Sequence, residues 1–173
     1  MHTLTQELLK EFLSYNPETG IFTWLPRDRK WFKTTHSFKK WNTRYANKEA
    51  GTMSHGYVYI SIFKRLHKAS RLAWLYITGN HPVHNIDHIN GVRSYDAFIN
   101  LRDVPQSQNV QNIRRPYSYS KSGFLGAHPN GSKFCARIKL NGITHYLGQF
   151  NTAQEAHDVY LAAKRKLHPA CSI

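Results

Sequence analysis

Cysteine is scarce in this chain of 173 residues: there are two, Cys135 and Cys171, and no Cys-x-x-Cys pair. A disulfide framework and a cysteine-ligated zinc site are therefore not expected, and we predict no structural zinc. No apolar run approaches the roughly 18 residues that a membrane-spanning helix needs. The first residues also lack the apolar centre of a signal peptide. We therefore expect a cytoplasmic protein.

Acidic residues are scarce as well, since 10 aspartates and glutamates stand against 24 lysines and arginines. The formal net charge is +14, and the pI is about 10.0. An excess of this size indicates a polyanionic partner, and nucleic acid is the first candidate. A membrane surface is the weaker alternative.

The positive charge is concentrated between residues 26 and 48, where Asp28 is the single acid. Aromatic side chains alternate with the cations in this segment, a mixture that suits neutralisation of phosphates and stacking on nucleotides. A solvated loop with a few aromatic anchors in the core is the alternative. The candidate nucleic-acid contacts of the segment are Arg29, Lys30, Lys39 and Lys40.

Apolar periodicity predicts four elements in the first 78 residues. Thr3 and Gln6 have the spacing of a capping box at the start of the first helix. Gly79 is a stop signal for the last one. The predicted elements are a helix at 3–14, a strand at 21–24, a strand at 56–63 and a helix at 68–78.

The stretch from Ile86 to Asn112 carries side chains suited to metal-assisted cleavage of a phosphodiester. Asp87 and Asn109 offer the hard oxygen ligands that Mg²⁺ and Mn²⁺ prefer. His88 is the residue best able to take a proton from water, since an unperturbed histidine has a pKa of about 6.5. An Asn-Gly turn follows at residues 90–91. These residue types together predict a nuclease site.

Three histidines, His81, His84 and His88, offer the alternative of a zinc cluster. Their spacing suits one face of a helix, but Pro82 and the strand-like residues after it argue against a helix there. Surface or capping roles for His81 and His84 are favoured.

The same stretch resembles the HNH (ββα-metal) nuclease motif in the form found in phage and intron homing endonucleases. Two positions depart from that pattern: the usual Asp-Asn is Tyr95-Asp96 here, and a usual His before Arg-Leu is Ser70. The segments that match, at the family's spacing, are Asp87-His88-Ile89-Asn90-Gly91, Asn100-Leu101-Arg102 and Gln108-Asn109-Val110-Gln111-Asn112.

The resemblance implies a metal-dependent endonuclease acting on double-stranded DNA. Asp87 and Asn109 would hold one divalent metal, Mg²⁺ or Mn²⁺, and His88 would deprotonate the attacking water. Asn100 would pin the long loop and orient the site, and Arg102 would contact a phosphate. The implied elements are strands at 83–87 and 100–104 and a helix at 106–114 that begins after Pro105.

A polar stretch at residues 115–122 reads as a linker to a second module. Strands are predicted at 124–127, 134–140 and 144–149, and a capping box at Thr152 and Glu155 opens an amphipathic helix. By the two-residue period of a strand, Arg137 and Lys139 share one face of the middle strand.

This second module resembles the DNA-binding domain of the APETALA/ethylene-response-factor type, which also occurs in phage HNH endonucleases. Phe134 stands where that family usually has Trp. The resemblance implies that the sheet enters the major groove through Lys133, Arg137, Lys139 and His145, whereas a sheet face that is merely solvated is the alternative. The matching segments are Gly123-x-x-Gly126, Ala136-Arg137-Ile138, Tyr146-Leu147-Gly148-x-Phe150 and Glu155-Ala156 to Tyr160.

The predicted fold class is α+β, with a ββα-metal nuclease module followed by a three-stranded antiparallel sheet packed on one helix. The predicted function is homing-type DNA cleavage, either nicking or cutting both strands, as a monomer or a homodimer, in the cytoplasm of an infected bacterium if a phage encodes the chain. A DNA-binding regulator on a weakened nuclease scaffold and an RNA-binding basic protein are the alternatives. The predicted domains are 1–66, 67–114, the linker 115–122, and 123–173.

Overall fold

The computed structural model describes residues 4–172, which form a mixed α+β protein with small antiparallel sheets. The predicted α+β class is confirmed at that level. No helix among the described residues is both long and apolar enough to cross a membrane. The helices and strands are α1 (Gln6–Phe12), β1 (Leu13–Tyr15), β2 (Phe22–Trp24), α2 (Thr35–Tyr45), β3 (Thr52–Ser54), β4 (Tyr57–Ile62), β5 (Arg65–Lys68), α3 (Ala69–Thr78), β6 (Asn85–His88), β7 (Leu101–Val104), α4 (Gln106–Asn109), β8 (Ala127–Asn130), β9 (Lys133–Leu140), β10 (Ile143–Phe150) and α5 (Ala153–Leu167).

The chain divides into two compact units, Met1–Asp103 and Val104–Ile173. The residues of the predicted nuclease core, 67–114, are therefore distributed over both units. The domain boundaries proposed from the sequence stay predictions.

The core of the first unit is built around α3, which packs against α1, β4 and β5. The helix ends as predicted, because Gly79 adopts a left-handed φ of 76° and its N–H donates to the Leu75 carbonyl at 3.0 Å. The buried side chains of this core include Leu9, Phe12, Leu13, Phe22, Ile60, Ile62, Leu72 and Leu75.

The first helix is shorter than predicted. It begins after Thr5, whose hydroxyl accepts from the Leu8 N–H at 3.3 Å, and it ends at Phe12. Leu13 instead starts strand β1, which pairs antiparallel with β2. The predicted capping residue Thr3 lies outside the described residues. Leu13, which the helical spacing of leucines placed in the helix, is buried instead as part of the hairpin with β2.

The basic segment contains a helix, α2, that the sequence analysis did not predict. Thr34 caps it, and Trp41 packs edge-on against Trp24 with ring centroids 5.6 Å apart. The Arg27 guanidinium lies 4.1 Å from the Trp41 ring. The three-residue spacing from Phe38 to Trp41 is the helical signal that was available.

Only the middle strand of the β3–β4–β5 sheet was predicted. β4 carries the buried Ile60 and Ile62, whereas β3 is exposed throughout. Short polar strands give no alternating hydrophobic pattern, so β3 and β5 form only because β4 supplies their hydrogen-bond partners.

In the second unit, β8, β9 and β10 form an antiparallel sheet covered by α5. The predicted capping box is confirmed, since the Glu155 N–H donates to the Thr152 hydroxyl and the Glu155 carboxylate accepts from the Thr152 N–H, both at 3.2 Å. The first strand lies at Ala127–Asn130, later than the predicted 124–127. Gly126 is required at its turn because a Cβ there would lie 2.0 Å from the Tyr160 ring.

The helix predicted at 106–114 is a single α-helical turn, α4, followed by the 3-10 turn Val110–Asn112. The segment after α4 is held by the C-terminal residues of the same unit. Lys164 Nζ donates to the Ile113 carbonyl, and Arg114 donates to the Ser172 carbonyl at 2.8 Å.

Candidate active site

Asp87 and His88 are the last two residues of β6, which is hydrogen-bonded to β7. Both side chains are buried. The chain turns directly after them, since the Gly91 N–H donates to the His88 carbonyl at 2.8 Å. A carboxylate and an imidazole are thereby fixed next to each other at the end of a strand.

The imidazole of His88 is held by a carboxylate that the sequence analysis did not assign to the site. His88 Nε2 lies 2.8 Å from Asp96 Oδ1, and the two side chains are 5% and 3% exposed. A carboxylate only accepts hydrogen bonds, so Nε2 is the donor, and Nδ1 carries the lone pair of the neutral ring. Asp96 therefore selects the tautomer in which Nδ1 is the basic atom.

Asp96 and the residues after it are held by the hairpin of β1 and β2. The Tyr15 hydroxyl donates to the Asp96 carbonyl at 2.7 Å, and the Phe98 N–H donates to the Pro17 carbonyl at 2.9 Å. Burial raises the pKa of Tyr15, and the negative charge of Asp96 raises it further, so the phenol stays a donor. The N-terminal hairpin is thus part of the support of His88.

Gly20 permits this contact between the turn and the loop. Its φ is +79°, and a Cβ there would lie 2.3 Å from the Ala97 nitrogen. Only glycine allows the turn to approach the backbone of residues 96–97 so closely.

Asp87 is paired with Arg102 on β7. Nε and Nη2 of Arg102 donate to Asp87 Oδ2 at 2.8 and 2.7 Å. The resemblance implies that Arg102 contacts a DNA phosphate, and that contact stays a prediction. A carboxylate has two oxygens with about four acceptor positions, so an ion pair to one oxygen does not by itself prevent the same side chain from binding a metal ion.

Asn100 is buried and spans the loop between β6 and β7. Its Oδ1 accepts from the Asn90 N–H at 2.9 Å, and its Nδ2 donates to the Tyr95 carbonyl at 2.8 Å. The side chain thus fastens both parts of the loop that carries Asp96. A role of Asn100 in a reaction stays a prediction.

Asn109, the second predicted metal ligand, lies in α4 and belongs to the other unit. Its Nδ2 has one weak contact, 3.5 Å from Gln106 Oε1. Asp87, His88, Asn100 and Arg102 are thus placed together in the first unit. Within residues 4–172 no group of three or more His, Cys, Asp or Glu side chains could hold a metal, and a site made of one carboxylate and one amide is not such a group.

Four cations of the basic segment were predicted to contact DNA. Lys30 Nζ lies 2.6 Å from Glu11 Oε1, and Arg29 donates to backbone carbonyls of its own loop, including that of Phe32. Lys39 and Lys40 are exposed on α2 and form no ion pair with a described residue. The two helix lysines are therefore the cations of this group most available to a phosphate.

In the second unit, Arg137 and Lys139 are both exposed, as the strand period predicted, and Lys133 at the start of the same strand is exposed as well. The β9–β10 register pairs Arg137 with Tyr146 and His145 with the buried Ile138. His145 therefore lies on the α5 side of the sheet, away from the three cations. Tyr146, 59% exposed beside Arg137, was not predicted, although the hairpin turn fixes this register.

Comparison of the chain with protein-family models, with curated proteins and with solved structures gives no match in any of the three.

Proposed function

We propose that the chain is a metal-dependent endonuclease that hydrolyses phosphodiester bonds of double-stranded DNA, of the homing type found in phages. The observation that carries the proposal is the pair of consecutive buried residues Asp87 and His88, with the His88 ring fixed by Asp96 at 2.8 Å. A buried histidine held by a carboxylate is an arrangement that serves proton transfer.

In this mechanism Nδ1 of His88 accepts a proton from the attacking water. Asp96 holds the ring in the required orientation and stabilises the imidazolium that results. Asn100 keeps the loop bearing Asp96 in place through its bonds to Asn90 and Tyr95. The proton leaves the water as the new phosphorus–oxygen bond forms.

Asp87 would hold the divalent metal, and the resemblance to the HNH motif implies Asn109 as a further ligand. Their donor set, one carboxylate oxygen and one amide oxygen, fits Mg²⁺ or Mn²⁺, which keep several water ligands. When bound, such an ion supplies a positive charge that stabilises the departing 3′ oxygen and the charge on the phosphate. Arg102 fixes the direction of the Asp87 carboxylate.

The net charge of +14 supports DNA as the substrate. The exposed face of the C-terminal sheet offers Lys133, Arg137 and Lys139, and α2 offers Lys39 and Lys40. Arginine on a sheet face is suited to the bidentate recognition of guanine in the major groove.

One observation favours the alternative of a DNA-binding regulator without nuclease activity. Nε and Nη2 of Arg102 both donate to Asp87 Oδ2, which is also the arrangement of an ion pair that serves only the fold. In that case the chain would bind DNA through its cations, and Asp87 would hold no metal.

Incubation of the purified chain with supercoiled plasmid and Mg²⁺, with and without EDTA, separates the two functions. An endonuclease converts the plasmid to nicked or linear forms only when the metal is present, and the His88→Ala variant does not. A regulator retards the DNA on a gel in both conditions and leaves it intact. Cleavage that persists in His88→Ala would contradict the mechanism.

A further inference from the structure

Two cations from separate parts of the first unit lie against the ring of Tyr57, the first residue of β4. Lys68 Nζ lies 3.9 Å from the centre of the ring. Arg93 Cζ, from the loop between β6 and β7, lies 5.2 Å from it. The ring centre of His88 is 6.1 Å from that of Tyr57. Two positive charges are thus concentrated beside the candidate general base.

Burial lowers the pKa of Lys68, and the positive charges of Arg93 and Arg71 lower it further. Arg71 is fixed nearby, since its guanidinium donates to the carbonyls of His84 at 2.8 Å and Pro82 at 3.1 Å. The fold therefore holds these like charges together against their mutual repulsion.

No carboxylate within residues 4–172 forms an ion pair with Lys68 or Arg93. Other cations of the same unit do have such partners: Lys30 lies 2.6 Å from Glu11, and Arg102 lies 2.7 Å from Asp87. A cluster of cations that lacks an internal counter-charge is suited to an external anion.

We propose that Lys68 and Arg93, held at the ring of Tyr57, form a binding subsite for a backbone phosphate of the cleaved strand, adjacent to the scissile phosphate. The inference rests on the proposed function, because it takes His88 as the group next to the scissile bond. The ring holds both cations by cation–π contact, so less side-chain freedom is lost when the phosphate binds. The Arg93 guanidinium matches two phosphate oxygens, and Lys68 supplies a point charge.

The test uses the full chain with Lys68→Met, Arg93→Gln and the double variant. Lys10→Met is the matched control, because Lys10 Nζ also lies over a tyrosine ring, that of Tyr76 at 5.2 Å. Affinity for a DNA duplex is measured in EDTA at several salt concentrations, and single-turnover cleavage is measured with Mg²⁺. Thermal melting of each variant checks that it is folded.

Each single variant should reduce the slope of log affinity against log salt by about 0.9, the value for one phosphate contact. The double variant should cleave about tenfold to a hundredfold more slowly, as expected when charge-assisted bonds to a phosphate are lost. The Lys10→Met variant should match the wild type in slope and in cleavage rate.

Wild-type slope and cleavage rate in a folded double variant would overturn the subsite while leaving the proposed function intact. If the wild type fails to cleave but the variants still lower the slope, the nuclease proposal fails, and with it the placement beside a scissile bond, whereas Lys68 and Arg93 are kept only as a contact to a DNA phosphate. Should the double variant not fold, Arg93→Gln alone decides, because Arg93 is an exposed loop residue: an unchanged slope in that variant overturns the subsite.

Discussion

His88 and Asp87 are each bonded to a charged side chain, Asp96 and Arg102 respectively, and these two partners have different proposed roles. In the proposed mechanism Asp96 fixes the ring that accepts the proton, whereas Arg102 fixes the carboxylate that would hold the metal. Asp87 and His88 are both buried, and an unpaired charge in a buried position would be unfavourable. Substitution of the base and of its support should therefore have distinct consequences.

The His88→Ala variant should lose DNA cleavage while keeping its DNA affinity, because the base acts only in the chemical step. A loss of about 10²- to 10⁴-fold in the single-turnover rate is the range for general-base catalysis. Rates are measured with plasmid and Mg²⁺, and affinity with the same DNA in EDTA. An affinity that falls in parallel with the rate would indicate instead that His88 supports the fold, which thermal melting would show.

Asp96 can be tested by comparing Asp96→Asn with Asp96→Ala. Asparagine keeps an oxygen acceptor for His88 Nε2 but lacks the negative charge that stabilises the imidazolium, so its cleavage rate should fall by about tenfold. Alanine removes the acceptor and should lower the rate by roughly a hundredfold. Equal rates for Asp96→Ala and the wild type would remove Asp96 from the mechanism.

At the scale of elements, the turn between β1 and β2 supports the loop that carries Asp96. Substituting Gly20 with alanine combines a left-handed φ of +79° with a Cβ 2.3 Å from the Ala97 nitrogen. We expect the free energy of unfolding to fall by about 2–4 kcal/mol and cleavage to weaken.

The matched control for stability is Gly56→Ala, since Gly56 has the same φ of +79° and its Cβ would meet only Arg93 Cδ, at 3.8 Å. The free energy of unfolding of that variant should fall by about 1 kcal/mol, which is the cost of the left-handed backbone conformation alone. Chemical denaturation of both variants gives the two values. Equal losses would mean that the close approach at Gly20 has no energetic weight.

Arg137 on strand β9, which lies beside Tyr146, is the residue predicted to recognise a base of the DNA site. If Arg137 reaches a guanine edge, Arg137→Ala should cost about 1–3 kcal/mol against the preferred site and relax the preference at one base pair. Lys139→Ala is the control, because loss of a phosphate contact weakens all sequences alike. Selection from a library of sites at two salt concentrations measures both effects. Unchanged site preference in Arg137→Ala would reassign this residue to the DNA backbone.

The elements with a strong local signal were predictable from sequence. The capping box at Thr152 and Glu155 and the stop at Gly79 fix α5 and α3 through neighbours three or four residues away. Strands β3 and β5 were not predictable, because they have little buried apolar surface and depend on pairing with β4. Helix α2 was missed because lysine and arginine dominate its segment, so the helical spacing of Phe38 and Trp41 was not recognised.

The candidate site likewise contains contacts that the sequence predicts and contacts that it does not. Asp87 and His88 are consecutive, so sequence alone placed them together. The contact of Asp96 with His88 depends on a loop conformation, and the contact of Tyr15 with Asp96 joins residues 81 positions apart. No local pattern reports such a contact, since it follows from packing of the whole first unit.

At the scale of the whole molecule, the boundary of the second unit at Val104 makes a prediction about fragments. Residues 104–173 should fold alone, because Lys164 and Ser172 supply hydrogen bonds to Ile113 and Arg114 within this unit. A fragment of residues 1–122 lacks those partners, so its amides at 110–114 should exchange rapidly with solvent.

Hydrogen exchange of the two fragments and of the full chain measures this difference. Equal protection of residues 110–114 in the 1–122 fragment and in the full chain would contradict the division at Val104. A fragment of residues 123–173 is a useful comparison, since it leaves the Lys164 side chain without the carbonyl of Ile113.

The contact of the β1–β2 turn with residues 95–98 limits how this protein can be cut and recombined. A chimaera that borrowed only residues 67–114 would carry Asp87, His88 and Asp96 but not Tyr15 or Gly20. The segment needed to transplant the candidate site must therefore be discontinuous in sequence, with the N-terminal hairpin included. For the same reason, new chain termini or inserted tags are better tolerated at the open Asn141-Gly142 turn than anywhere between residues 13 and 24.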